Sequence, residues 1–195
     1  EKVIRNKKNT LNDKNANTIQ VRYFNKLNLF DENLMNTFSI FNNEQFRKII
    51  HKLYRTKFYY NNQIFFQQTN LTNEPTAGEV HFDILHQYKI WIFLNDVDEN
   101  NGPIEIFPKS HIENKITRIK SYKDAKRFDN RANRIDKLIG KKIKANSGSI
   151  LIFDSDVFHR ATSVRKGSRK IIRAHSMVPS TIAYRNELKR NLHQY

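Results

Sequence analysis

The stretch "EVHFDIL", residues 79–85, decides how the chain is read. As a strand it sends Val80, Phe82 and Ile84 to one side and His81 and Asp83 to the other, because successive side chains alternate faces. The apolar three suit a packed layer. An imidazole and a carboxylate together on the opposite face suit a pair of metal donors waiting for a third from elsewhere in the chain.

Further strand-like runs surround this one. They are "KFYYNNQIFFQQT", "YKIWIFLN", "IEIF", "KIKA", "SILIFD" and "RKIIRAHSM", punctuated by glycines and prolines at turns. Runs of this length predict an antiparallel jelly roll or barrel. Ahead of them, "NNEQFRKIIHKLY" spaces Phe46, Ile49, Ile50 and Leu53 for a helix, with Asn43 as its N-cap. A short helix is also expected around "DENLMNTFSIF". The stretch 116–138 reads as partly helical, with Ile116, Ile119, Tyr122, Ala125 and Phe128 along one side, and "STIAYRNELKRNLHQY" as a final polar helix or a loose end.

With 195 residues, of which 38% are hydrophobic, the chain suits one domain with a substantial core. Residues 1–20, rich in Asn and Lys, are expected to be frayed or disordered. Residues 21–195 are expected to form a single domain with a basic insert at about 112–144. There are no cysteines, so disulfides and thiolate metal sites are excluded and His and carboxylates remain as ligands. No apolar run is long enough to span a membrane and no charged-then-apolar leader opens the chain, so a cytoplasmic setting is expected. The formal charge is +16, and residues 112–144 alone carry 12 Lys+Arg against 4 Asp+Glu, a net +8. Such a surface favours anionic partners, with plain solubility as the competing reading.

The third donor is expected at His159, which follows the Gly-led run "GSILIFDSDVFH" and emerges at a strand end. Two His and one carboxylate on one side of a metal leave adjacent positions open, which suits Fe(II) binding a chelating co-substrate and dioxygen together. Arg169 lies ten residues after His159. A guanidinium there can grip a carboxylate through two parallel hydrogen bonds. Arg173 shares its face and can meet a second anionic group or solvent.

Residues 63–177 resemble the phytanoyl-CoA dioxygenase family of Fe(II)/2-oxoglutarate oxygenases. The resemblance rests on "HFD", "WIFLNDVDENNGPIEIFPKSH", "GSILIFDSDVFHRATSV" and "SRKIIRAH". It implies a mainly β fold with flanking helices, a cupin-like double-stranded β-helix. It implies iron ligation by His81, Asp83 and His159, with Arg169 binding the far carboxylate of 2-oxoglutarate. Trp91 falls at a position near 2-oxoglutarate in some members, against the alternative that it is simply core. Two positions depart from the family: Lys109 replaces the Gly of the usual Pro-Gly-Ser-His turn, and Ala161 replaces a small hydroxyl residue. Related halogenases keep a small residue where Asp83 stands, so the carboxylate points to hydroxylation or a kindred oxidation.

The expected function is therefore a dioxygenase using Fe(II), 2-oxoglutarate and dioxygen to hydroxylate an unactivated C–H bond of an anionic small molecule or acyl thioester. Arg173 is the candidate substrate contact. A nucleic-acid or protein hydroxylase docking through 112–144 is the less favoured alternative, and a non-catalytic metal-binding β-barrel the third. Of the other histidines, His86 is expected at a strand end, His111 hydrogen-bonding the "PKSH" turn, and His175 either near the site or packed.

Overall fold

The computed structural model describes residues 10–13, 17–24, 36, 39–41, 43–54, 59–75, 77–124, 129–132 and 138–177. The expected C-terminal helix, most of the "DENLMNTFSIF" helix, and Ala125 and Phe128 lie outside these residues.

Among the described residues, nine strands form two antiparallel sheets. The larger runs β1-β2-β3-β9-β4-β7 and the smaller β6-β5-β8. Their ranges are β1 (Thr10–Asp13), β2 (Thr18–Phe24), β3 (Tyr59–Thr69), β4 (Gln87–Phe93), β5 (Ile104–Phe107), β6 (Lys141–Ile143), β7 (Ile150–Asp154), β8 (Phe158–Ala161) and β9 (Arg169–Met177). The last strand lies at the centre of the large sheet, between β3 and β4. This is a mainly β jelly roll.

Register decides what faces inward. Lys89 pairs with His175 and Phe153, Trp91 with Arg173 and Leu151, and Phe93 with Ile171. Directly opposed residues share a face, so these side chains line the side toward the small sheet. There Trp91, Phe93, Val97, Ile104, Phe153, Val157 and Ile171 form one buried cluster. The alternate residues face outward, where Ile64, Ile90 and Ala174 are covered by Phe41 and Phe46. Phe46 belongs to α1 (Glu44–Tyr54), whose start is fixed by Asn43: its Oδ1 accepts from the amides of Gln45 at 2.9 Å and Phe46 at 3.3 Å. Strand β4 is thus covered on both faces, which is why "YKIWIF" shows little polar alternation.

Several expectations change. The stretch 79–85 is no ladder strand, because its amides go to different partners. His81 exchanges hydrogen bonds with His159 at 3.1 and 2.8 Å, the Phe82 amide donates to the Asn130 carbonyl, and the Asp83 amide to the Ser155 carbonyl. Val80 and Phe82 are buried, but Ile84 is exposed. His159 lies within β8 of the small sheet rather than at the end of the Gly-led strand, since the turn Ser155–Val157 carries the chain between sheets. Residues expected to fray at the start contribute β1 and the beginning of β2, which pair into the large sheet.

The basic stretch does form a helix, α2 (His111–Asp124), but its apolar stripe faces out. Ile112, Ile116 and Ile119 are exposed, whereas Asn114 and Arg118 are buried. Those two find polar partners below: the Asn114 amide group donates to the Asp156 carbonyl at 2.7 Å and Arg118 pairs with the Asp156 carboxylate. Before the helix, Lys109 takes φ +72°, the left-handed conformation for which glycine is favoured.

Candidate active site

His81 and Asp83, two apart on an extended segment, meet His159 from β8 through the single-residue bridge between His81 and His159. Asp83 Oδ1 lies 3.9 Å from His81 Nε2 and 3.6 Å from His159 Nε2. One ligand atom from each of the three lies within 4.8 Å of the others. The expected triad is assembled.

Hydrogen bonds set the imidazole tautomers. Each Nδ1 meets a backbone carbonyl at 2.8 Å, that of Glu79 for His81 and of Val157 for His159. A proton held on Nδ1 leaves the lone pair on Nε2, the form in which histidine ligates a metal. Burial, and then the nearby Lys89 charge, keep His159 below the ordinary histidine range, so it is neutral at neutral pH. Burial alone pushes the Asp83 carboxyl up. Lys89 and His159 together pull it further the other way, well below the usual carboxylate range. Two imidazole nitrogens and one ionised oxygen on one side of a common point are the donor set Fe(II) prefers, so these residues fit that metal.

The surroundings hold this geometry. Gln87 Nε2 donates to Asp83 Oδ2 at 2.8 Å. The amide of Gln87 donates to Ser155 Oγ at 3.0 Å, and Ser155 also receives the Asp83 amide. Arg118 donates to the Asp83 carbonyl and stacks 5.5 Å from the Phe82 ring centre. Gln87 and Arg118 were absent from the sequence reading, because nothing in their spacing announces a partner 35 residues away along the chain for Arg118.

Lys89 is the largest omission. Its Nζ donates to Asp83 Oδ1 at 3.0 Å, lies 2.9 Å from Oδ2, and meets His159 Nε2 at 3.1 Å. It is buried, which pulls the ammonium below the usual lysine range while Asp83 opposes the shift. The available signal was a lone cation inside "YKIWIF", a strand otherwise fit for burial on both faces.

Along the same inner wall, Arg169 is 1% exposed. It donates to the Gly102 carbonyl and stacks 5.8 Å from the Trp91 ring centre, while its Nε has no hydrogen-bond partner among the described residues. Burial, and then Arg173, lower its pKa to about 10, so it stays charged at neutral pH. Arg173 donates to Gln20 Oε1 at 2.9 Å and stacks 4.9 Å from the Phe65 ring centre. Trp91 meets Phe153 edge-on at 5.8 Å, and Phe153 meets His159 at 5.2 Å. Trp91 is therefore both core and the aromatic link between the guanidinium and the triad.

His86 and His175 engage other partners. His86 approaches Asp154 at 3.2 Å and Asp156 at 3.5 Å, and His175 stacks on Phe65 at 5.2 Å. The "PKSH" turn is tied by Ser110 rather than by His111: its hydroxyl donates to the Phe107 carbonyl and accepts from the Phe158 amide. A cavity of about 430 Å³ bounded by Pro75, Gly78, His81, Asn130 and Arg131 reaches the triad through His81.

A jelly roll that gathers two histidines and one aspartate in a bay, with a buried arginine on the same wall, is the architecture of metal-dependent oxygenases of the double-stranded β-helix class. Comparison narrows this further, since residues 36–171 match the family described as phytanoyl-CoA dioxygenase (PhyH). The chain belongs to that family of Fe(II)/2-oxoglutarate oxygenases. No curated protein matches the sequence.

Solved structures share the fold. The alpha ketoglutarate dependent epimerase SnoN from nogalamycin biosynthesis superposes with a TM-score of 0.57 at 12% identity, over 87% of this chain and 66% of its own. EctD from S. alaskensis gives 0.58 at 10% identity, over 93% and 65%. HygX from Streptomyces hygroscopicus, solved with nickel and 2-oxoglutarate bound, gives 0.57 at 9% identity, over 87% and 73%. The chain spans slightly under two thirds of the length of SnoN and EctD.

Proposed function

We propose that the protein is an Fe(II)/2-oxoglutarate-dependent dioxygenase that hydroxylates an unactivated C–H bond of an anionic small molecule or acyl thioester. The observation carrying this reading is the convergence of His81 Nε2, His159 Nε2 and the Asp83 carboxylate beside a buried Arg169. When bound, iron with 2-oxoglutarate supplies the oxidation: co-substrate and dioxygen become succinate and carbon dioxide, and one oxygen atom enters the substrate C–H bond.

The chain's own residues do the rest. His81, His159 and Asp83 hold the metal, and Gln87 fixes the carboxylate rotamer. Arg169 grips the far carboxylate of 2-oxoglutarate, its unpartnered Nε marking a donor in need of an acceptor. Trp91 and Phe153 wall off water between guanidinium and triad. An anionic substrate is supported by charge: Lys89, Arg169 and Arg173 interact along this wall, with Asp83 the carboxylate among them. A divalent cation and a doubly charged co-substrate cancel each other and leave this excess positive charge in place. The rival docking role of the basic insert loses Arg118, which is buried and committed to Asp83 and Asp156. The need for reduced iron and a metabolic co-substrate supports a cytoplasmic setting.

Anaerobic addition of Fe(II) and 2-oxoglutarate to the metal-stripped protein tests the reading. A visible charge-transfer band is expected, and Asp83→Ala should abolish both the band and substrate-dependent succinate formation. Full turnover by that variant overturns the ligand assignment. A product without an added oxygen atom overturns hydroxylation.

A further inference from the structure

The residues that suit iron already surround a cation. Lys89 Nζ lies 2.9 and 3.0 Å from the two Asp83 oxygens and 3.1 Å from His159 Nε2, two of the three donor groups assigned to the metal. A first-row dication bonded to these same atoms would stand about 2.0–2.2 Å from each, so ammonium and metal compete for one place. They also repel at such range.

Removing Lys89 from that place is not a matter of turning to water. Its side chain is about 9% exposed, it springs from a central strand between β9 and β7, and Phe153 lies 5.8 Å from Nζ. On this wall Asp83 attracts the ammonium and Arg173 repels it. Among the described residues, the ion pair of this ammonium is with Asp83 alone.

We propose that Lys89 is the resident counter-ion of the metal-free site, displaced by the metal onto a carboxylate of the incoming dicarboxylate co-substrate, so that metal and 2-oxoglutarate load as a coupled pair. This inference rests on the metal reading of the triad, and adds to it a group that holds Asp83 neutralised and the bay closed until both ligands are present. Linkage makes the coupling reciprocal: each ligand tightens the binding of the other.

The test uses Mn(II), which avoids oxidation, titrated into the metal-stripped full chain and followed by the EPR signal of free Mn(II), with and without 2-oxoglutarate. Lys89→Met keeps the stem and removes the charge. Without 2-oxoglutarate it should bind Mn(II) at least tenfold more tightly than the parent, and the tightening caused by 2-oxoglutarate should shrink by a similar factor. Equal or weaker Mn(II) binding by Lys89→Met overturns the inference while leaving the metal site intact. Binding by neither protein overturns both readings.

A measurement on the parent alone covers the case in which the variant does not fold. With lysine side chains labelled with nitrogen-15, the metal-free protein should show a protected ammonium resonance that shifts on addition of Zn(II) and shifts again with 2-oxoglutarate. A resonance indifferent to Zn(II) overturns the inference.

Discussion

At the scale of single residues, the site is built from side chains whose protonation is settled by immediate neighbours. His81 and His159 are locked by carbonyls at Nδ1, and Asp83 is held ionised by Lys89. Arg169 is different, because among the described residues its buried charge is paired with no carboxylate. Arg169→Lys keeps the charge but loses the two-pronged geometry. It should weaken 2-oxoglutarate binding by roughly tenfold, within the range for a charge-assisted hydrogen bond, as read from the charge-transfer titration. Lys109 makes the opposite kind of prediction. At φ +72° an L residue is strained by roughly 1–2 kcal/mol, and glycine returns part of that through its freedom when unfolded. Lys109→Gly should therefore stabilise the protein by about 0.5–1 kcal/mol, raising Tm by roughly 2 °C in a thermal melt.

At the scale of elements, α2 holds the segment 81–83 by its polar side. Arg118 reaches from the helix to both the Asp83 carbonyl and the Asp156 carboxylate. Arg118→Leu strands a buried carboxylate and should destabilise by about 3–5 kcal/mol in urea. Adding Asp156→Asn should recover part of the loss. This element also shows where sequence reading fails. The helix was legible from its periodicity, but its buried face was not: the isoleucines suggested one stripe, whereas the helix sits on a carboxylate supplied by the β7–β8 turn. The same holds for Lys89, whose meaning depends on His159, seventy residues away. By contrast His81, Asp83, His159 and Arg169 could be singled out as candidates because each belongs to a short local pattern with its own turn or strand signal. Strand β1 and the start of β2 were hidden by their Asn- and Lys-rich composition, yet they pair in register and bury Thr18 against Thr69.

At the scale of the molecule, the two-sheet arrangement was readable from the count and spacing of strands, and six of the expected strands fall within a residue or two of the observed ones. Their order was not, because neighbours in an antiparallel sheet are chosen by packing rather than by sequence. The central place of β9 has a consequence for how the protein is made. As the polypeptide leaves the ribosome, β3 and β4 each present a bare edge to the cell, and none of the described strands before residue 169 fills the gap between them. A chain stopped short of that point would be two ribbons with sticky borders, open to pairing with other chains. The strand that carries Arg169 is thus also the keystone of the wall, laid down after both of the strands it joins.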